Sequence, residues 1–402
     1  MFYEDIKKHI EAKASEIKNE VISFRRHIHK YPELSFNERE TSLFICSVLK
    51  KYNIRHKSRI SGHGVVAVIE CNNPNSKVLG LRADMDALPI KEENIVSYKS
   101  VNDGVMHACG HDVHSAIALG VCIVLNEIKD KLNGTIKIIF QPAEEKLPGG
   151  AIQMINDGVL NNPKVENMLA LHVLPEMEVG NVGFRSGKYM AACDEIYIKV
   201  NGKGGHAALP DQVINPIIVA ANLMIKIKKS VSLIDSDDKY VLEFGDFHAF
   251  GASNVIPNHA NISGTFRSLD QKFRSEVHEL ILKEAKSIDL NYKSNCVVKI
   301  KKGYPVLFND NDLTTYCEKK SKFFLGKSKV HELEIRMASE DFSHFSNEVP
   351  SCFFRLGVGN KEKNIKSSVH TPTFNIDENS IEIGVGLMSF LLCSSLQDQK
   401  KV

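Results

Sequence analysis

Three histidines and one cysteine fall within eight residues, His107-Ala108-Cys109-Gly110-His111-Asp112-Val113-His114, in a chain of 402 residues that holds 16 histidines in all. Cysteine and histidine are soft and borderline ligands of divalent transition metals, so this density points first to a metal site. Gly110 lets the backbone bend between Cys109 and His111, and Asp112 can cap the helix that follows. The same residues also allow a surface histidine patch, or a Cys109 thiol nucleophile served by its neighbours.

Three further sets join this one. Asp84 and Asp86 stand in Leu81-Arg82-Ala83-Asp84-Met85-Asp86-Ala87-Leu88-Pro89, directly after a predicted strand that Pro89 cannot extend. Carboxylates at strand ends in an open α/β sheet face the ligand crevice, although a solvated loop or a helix cap is the plainer reading. Gln141-Pro142-Ala143-Glu144-Glu145 follows another buried strand. Of two adjacent glutamates, one can ligate a metal while the other faces substrate as a base. A cation would relieve their mutual repulsion. His172 lies near the end of the predicted strand Met168–Val173, and His370 lies in Ser368-Val369-His370-Thr371-Pro372. Cys109, His111, Glu145, His172 and His370 exceed what one tetrahedral site holds, which predicts two cations sharing a bridging group, with water as nucleophile. A thiol mechanism would leave Glu144 and Glu145 without a task.

Rival chemistries lack their motifs. There is no G-x-S-x-G elbow, and Gly202-Lys203-Gly204-Gly205 has no Ser or Thr after its lysine, so it is no phosphate loop. Lysine and arginine number 51 against 49 acids, a net charge of +2, which offers no basic stripe for nucleic acid. Hydrophobic residues at 43% and charged residues at 25% match a globular chain rather than a disordered one. The longest apolar run, Ala116 to Leu125, is shorter than the roughly 20 residues of a membrane span. The first 20 residues mix charges and show no apolar core, so no secretory signal is expected. Nine cysteines without regular spacing predict reduced thiols and a cytoplasmic location. Most of them, such as Cys46, Cys122 and Cys393, sit in apolar helical surroundings and read as inert packing.

The elements that must position these residues follow from the apolar pattern. Two helical patterns fill the first 55 residues, split by Tyr31–Ser35. Val65–Cys71, Val78–Ala83, Gly134–Phe140 and Met168–Val173 read as strands, and Val113–Ile128 and Ala151–Asn156 as helices. The alternation predicts an α/β fold, a mostly parallel sheet with helices on both faces. After Gly187 the pattern changes. Strands at Asp194–Val200, Tyr240–Phe247, Asn261–Phe266 and Val297–Ile300 and helices at Asn215–Val231 and Gln271–Ser287 give the β-α-β-β-α-β order of a ferredoxin-like unit. The α/β pattern resumes after Gly303, with a helix near Asp310–Phe324, a strand at Cys352–Leu356 and a helix at Ile381–Leu392. The expected organisation is a discontinuous catalytic domain over 1–186 and 301–402, with 187–300 inserted.

Taken in order, Arg82-Ala-Asp-Met-Asp-Ala-Leu-Pro89, His107-Ala-Cys-Gly-His-Asp-Val-His114, Gln141-Pro-Ala-Glu-Glu145, Gly204-Gly-His-Ala207 and His370-Thr-Pro372 resemble the N-acyl-amino-acid amidohydrolases. These are grouped with the aminoacylase and carboxypeptidase metallopeptidases and include hippurate and auxin-conjugate hydrolases. The resemblance spans Arg25 to His370. It implies a dimetal exopeptidase-like catalytic domain and an inserted α+β lid through which a homodimer forms. It implies cleavage of N-acyl amino acids with two divalent ions drawn from manganese, zinc, cobalt or nickel. It gives Cys109, His111, Glu145, His172 and His370 as metal ligands, Glu144 as general base and acid, and Asp86 as the acid that orients a ligand histidine. It gives His206, Asn254 and Arg267 as substrate contacts, with His206 reaching the partner subunit's site. Lys146-Leu-Pro-Gly-Gly150 and Phe250 depart from the family pattern and would reshape the acyl pocket. A dipeptidase or carboxypeptidase with the same centre and a catalytically silent binding homologue are the alternatives.

Overall fold

Apolar residues recur at three- and four-residue spacing along the first helix, and Ile6, Ile10, Ile17, Val21, Phe24 and Ile28 are all buried there. The computed structural model describes residues 2–236 and 238–398. Its elements begin with α1 (Phe2–Lys30), α2 (Arg39–Lys51), β1 (Arg55–Ile60), β2 (Gly64–Glu70), β3 (Val78–Asp84), α3 (His111–Ile128), β4 (Thr135–Gln141), α4 (Gly150–Asn156), β5 (Asn167–Glu178) and β6 (Val182–Phe184). They continue with β7 (Gly187–Met190), β8 (Ala192–Asn201), β9 (Gly205–His206), α5 (Pro216–Val231), β10 (Tyr240–His248), β11 (Val255–Ile256), β12 (His259–Ser268), α6 (Gln271–Tyr292) and β13 (Asn295–Lys302). The last are β14 (Leu307–Asn309), α7 (Asn311–Leu325), β15 (Val330–Glu332), α8 (Phe342–Glu348), β16 (Ser351–Gly359) and α9 (Asn379–Gln397).

Two compact units result. The first takes the chain up to Gly187, Phe308–Glu334, and everything from Asp341 onward; the second takes Lys188–Leu307 with the short segment Ile335–Glu340. The expected boundary at 300 falls inside β13. The first unit holds an eight-stranded sheet in the order β1-β2-β4-β3-β5-β16-β6-β15. Its centre, β4-β3-β5-β16, is parallel. The β1–β2, β2–β4 and β16–β6 pairs are antiparallel. Helices α1, α3 and α9 pack on one another, while α4 and α8 pack together beside β4, β5 and β16, so the mostly parallel sheet is flanked by helices. Helices α3 and α9 are long and apolar enough to cross a membrane by composition alone, but their residues are buried within the core of this unit. Strand β1, Arg-His-Lys-Ser-Arg-Ile, was not legible as a strand because it is an exposed edge with no apolar alternation.

The second unit folds on its own core. Its sheet runs β10-β12-β8-β13, every pair antiparallel, which is the ferredoxin-like order. Along β8 the residues Ile196, Ile198 and Val200 are buried and alternate with exposed Tyr197 and Lys199. They pack with Val219, Leu223 and Ile227 of α5 and Phe273, Val277 and Ile281 of α6. A charged pair, Asp194 and Arg274, is enclosed here. Asp194 accepts hydrogen bonds from Arg274 Nε at 2.8 Å and the Gly303 amide at 3.0 Å, and lies 2.7 Å from His278 Nε2.

Burial alone would raise the Asp194 carboxyl, but Arg274 and His278 outweigh it and hold it at about 2. A folded-state value below the unfolded one means the stabilisation is complete above about pH 4 and disappears as pH falls through about 2. Asp194→Asn should therefore destabilise the second unit by on the order of 2–4 kcal/mol at pH 7, by leaving Arg274 without its counter-charge. Denaturant unfolding across pH should show the gap between wild type and variant closing below pH about 4. A gap that stays constant would mean Asp194 does not carry this linkage.

Candidate metal centre

Parallel strands end at a common edge, and that is how distant segments of this chain meet. Asp84 closes β3 and is level with Gln141, which closes β4. Arg82 is level with Ala170 of β5, which brings His172, two residues further on, to the height of Asp84. His172 is mid-strand rather than near a strand end, because β5 continues to Glu178. His111 opens α3, and Gly110 before it has φ 87°, a left-handed conformation that glycine adopts freely. A Cβ on Gly110 would lie 2.5 Å from Val173 Cγ2, so only glycine lets this loop sit against β5. Asp112 does not cap α3 as expected. It is buried and accepts from Arg25 Nε at 2.7 Å, with His29 Nδ1 at 2.8 Å, which ties α3 to α1.

The five expected donors gather as two overlapping groups. The donor atoms of Cys109, His111 and His172 lie within 4.8 Å of one another, and so do those of Cys109, Glu145 and His370. Cys109 is common to both. Its Sγ is 3.4 Å from His172 Nε2. Glu145 Oε1 lies 3.9 Å from His111 Nε2 and 3.0 Å from His370 Nε2, but misaligned for a hydrogen bond. His111 Nε2 and Glu145 Oε1 are both buried with no hydrogen-bond partner. Buried polar atoms are rarely left so, and a cation among them would satisfy both. His172 donates through Nδ1 to the Val173 carbonyl at 2.7 Å, and His111 Nδ1 faces Asp86 Oδ1 at 3.1 Å. Each ring thus keeps the Nε2 lone pair for a ligand. His114 is different: Nδ1 faces Asp84 at 2.6 Å and Nε2 accepts from the Val173 amide at 3.0 Å, so both nitrogens are used in holding β5.

The electrostatics carry the same mark. Burial opposes protonation of His111, yet Asp84, Cys109 and Asp86 raise it well above its usual value. The Cys109 sulfur and the Glu145 carboxylate close beside it push His370 up to about 10. Burial pushes the Cys109 thiol up, and burial with Arg355 pushes His172 well down. The acids around His111 and His370 favour positive charge there, which divalent cations would also supply.

Support for the donors comes from the expected Asp86 and from two groups the sequence patterns did not single out, Ser35 and Asp341. Asp86 Oδ2 accepts from Ser35 Oγ at 2.6 Å and from the Glu145 amide at 3.0 Å. Burial would raise Asp86, but His111, Ser35 and the Glu145 amide keep it low. Arg82, itself buried, donates to Asp84 at 2.6 Å, to Asp341 at 2.7 Å and to Gln141 Oε1 at 2.8 Å. Asp341 also accepts from Gln141 Nε2 and from the Ala151 amide at 3.0 Å. Its own amide points to Glu144 Oε1 at 3.4 Å. Asp341 stands in no motif and could be found only in three dimensions.

His206, Asn254 and Arg267 belong to the second unit, whereas the five donors and Glu144 belong to the first. His206 is exposed on β9, and Ala207 donates to the Asn254 carbonyl at 3.0 Å, so the two sit side by side. Arg267 on β12 donates to the Met337 carbonyl at 2.9 Å. Phe250 is exposed and stacks on His248.

The chain is similar to known proteins along most of its length. The family model described as Peptidase family M20/M25/M40 matches residues 80–393. Thermostable carboxypeptidase 2 of Saccharolobus solfataricus is 36% identical over 386 residues, 94% of this chain and 96% of that one. The N-acetyl-L-cysteine deacetylase of Bacillus subtilis is 35% identical over 368 residues, 91% of this chain and 86% of that one. Among solved structures, the Bacillus subtilis YXEP protein, described as a dinuclear metal-binding peptidase, aligns with a TM-score of 0.81 at 29% identity over 95% of this chain and 99% of its own.

Asp84 links Arg82 to His114, so its charge sets the frame of the donors. Asp84→Asn should weaken divalent metal binding by about 10–100-fold, as loss of a group behind the ligands commonly does. Competition titration against a chromogenic chelator measures this. An unchanged affinity would show that the donors are held without Asp84.

Proposed function

Because the chain belongs to peptidase family M20/M25/M40, we propose that it is a hydrolase with a two-metal centre that splits N-acyl amino acids into a carboxylic acid and a free amino acid. The observation that carries the reading is the meeting of two donor groups at Cys109, with Glu144 directly beside the donor Glu145. Cys109, His111 and His172 would hold one cation, and Glu145, His370 and again Cys109 the other. Thiolate, imidazole and carboxylate together suit manganese, zinc, cobalt or nickel. When bound, such ions polarise the amide carbonyl and make water a nucleophile near neutral pH.

The chain's own residues do the rest. Glu144 takes the proton from the attacking water and delivers it to the departing amine. Asp86 fixes the tautomer of His111, so that Nε2 faces the centre. His206 donates to the carbonyl oxygen as negative charge builds there, while Asn254 and Arg267 contact the substrate. Those three act from the second unit. Exposed Ile218 and Ile225, one face of α5, together with Leu233 just beyond it, supply an apolar surface for a homodimer through that unit. In such a dimer His206 would serve the partner's centre. Nine free thiols favour a cytoplasmic setting. A carboxypeptidase working through the same centre is the second reading, favoured by the likeness to the Saccharolobus solfataricus enzyme.

Turnover of acetyl-, benzoyl- and indoleacetyl-amino acids beside dipeptides separates the two readings. Faster cleavage of the N-acyl series supports the first, and cleavage of dipeptides alone overturns it. Glu144→Gln should lower kcat by about 10²–10⁴-fold with metal content unchanged. Retained turnover would place the base elsewhere. Mixing Glu144→Gln with His206→Ala subunits should regain activity, because a mixed dimer holds one centre with both groups. A mixture as inactive as its components, after verified subunit exchange, would exclude action across the dimer.

A further inference from the structure

Glu38 lies 105 positions before Ala143, yet its Oε1 accepts the Ala143 amide at 2.7 Å. The same oxygen accepts the Phe36 amide at 3.0 Å. Both donors are non-glycine residues in the left-handed region, Ala143 at φ 53° and Phe36 at φ 70°. That conformation brings Cβ against the backbone and is disfavoured for any residue but glycine, so it persists only where the surroundings enforce it. The other side of Ala143 is fixed too, since its carbonyl accepts the Gly150 amide at 2.9 Å. A Cβ on Gly150 would lie 1.8 Å from the Pro142 oxygen, so this clamp admits only glycine.

We propose that Glu38 is a positioning residue that locks the left-handed turn at Ala143 and so presents Glu144 to the reacting centre; this rests on the reading of Glu144 as general base. The turn lies just after β4 and sets the direction in which both carboxylates leave it. Glu144 reaches the Asp341 amide at 3.4 Å and Glu145 reaches the donors at Cys109 and His370, and each has an oxygen within 4.8 Å of a His111 ring nitrogen. An extended Ala143 would carry both carboxylates away from these partners. Glu38 is fully buried, and its Oε2 has no hydrogen-bond partner. A side chain kept only for packing would be apolar at such a place, because an unsatisfied buried oxygen is costly. Burial and Asp86 push its carboxyl up to about 7, which makes an uncharged amide a close stand-in.

The test compares Glu38→Ala, Glu38→Met and Glu38→Gln with Ala143→Gly added to each of the first two. Removing the acceptor should lower kcat by about tenfold or more, as small misplacements of reacting groups do, with KM within about twofold and the metal stoichiometry unchanged. Glu38→Met refills the volume, so it separates the lost acceptor from a cavity or a failure to fold. Glu38→Gln keeps an oxygen for Ala143 and should recover most of the turnover. Ala143→Gly, which relieves the left-handed strain, should raise kcat of the acceptor-less variants by about threefold or more. Thermal unfolding of the same variants tells recovered positioning from recovered stability: turnover should rise in acceptor-less variants whose folded fraction is already complete. Wild-type kcat in Glu38→Met, or no recovery from Ala143→Gly, overturns the proposal. Glu144→Gln in the same assay tells its failure from that of the reading beneath it: an inactive Glu144→Gln beside a fully active Glu38→Met rejects Glu38 alone.

Discussion

Asp84 has no exposed surface, and a carboxylate in that position must be neutralised by protein groups alone. Arg82 and His114 each approach it at 2.6 Å, and Ser115 Oγ donates to its backbone carbonyl at 2.7 Å. The His114 and Ser115 bonds reach α3, while Arg82 stands on β3 with Asp84. Arg82 carries the frame on to Gln141 and Asp341, and His114 carries it to the Val173 amide of β5. Removing one partner of a buried pair leaves an uncompensated charge, so the network is satisfied as a whole or not at all. This requirement acts with the apolar core to set β3, β4, β5 and α3 in one register around the candidate donors.

The two units divide the work by their physics. A parallel centre gathers the ends of several strands at one edge, which suits a site built from segments far apart in the chain. The antiparallel second unit has a separate core, so its surface can carry His206, Asn254 and Arg267 without disturbing the donors. Membership of the M20/M25/M40 family fits a hydrolase, and the candidate donors all come from one unit. Sharing Cys109 would give each of two ions three protein donors from five side chains, leaving positions open for water and substrate.

Much of this was legible in the sequence, for a stated reason. Buried strands such as β3 and β4 are apolar at nearly every position, and helix α3 is apolar on all sides, so their patterns are strong. The candidate donors Cys109 and His111 stood out because cysteine and histidine are scarce and cluster at 107–114, whereas His172 and His370 stand alone in the sequence. What stayed hidden depends on distance or direction. His111 and His114 stand three positions apart with the same chemistry, and only the bonds to Val173 and Asp84 show that one is a strut. Asp341 and Glu38 stand among ordinary polar residues, and their partners lie 259 and 105 positions away. The edge strand β1 is polar and exposed, so no periodicity marks it.

The central claim is that two cations share Cys109, one completed by His111 and His172 and the other by Glu145 and His370. Elemental analysis of protein saturated with metal and then desalted tests it most directly, on wild type and on His172→Ala and His370→Ala. The account predicts two ions per chain in wild type, about one in each single variant, and loss of both in Cys109→Ala. One ion per chain in wild type, or two ions retained in Cys109→Ala, would contradict it.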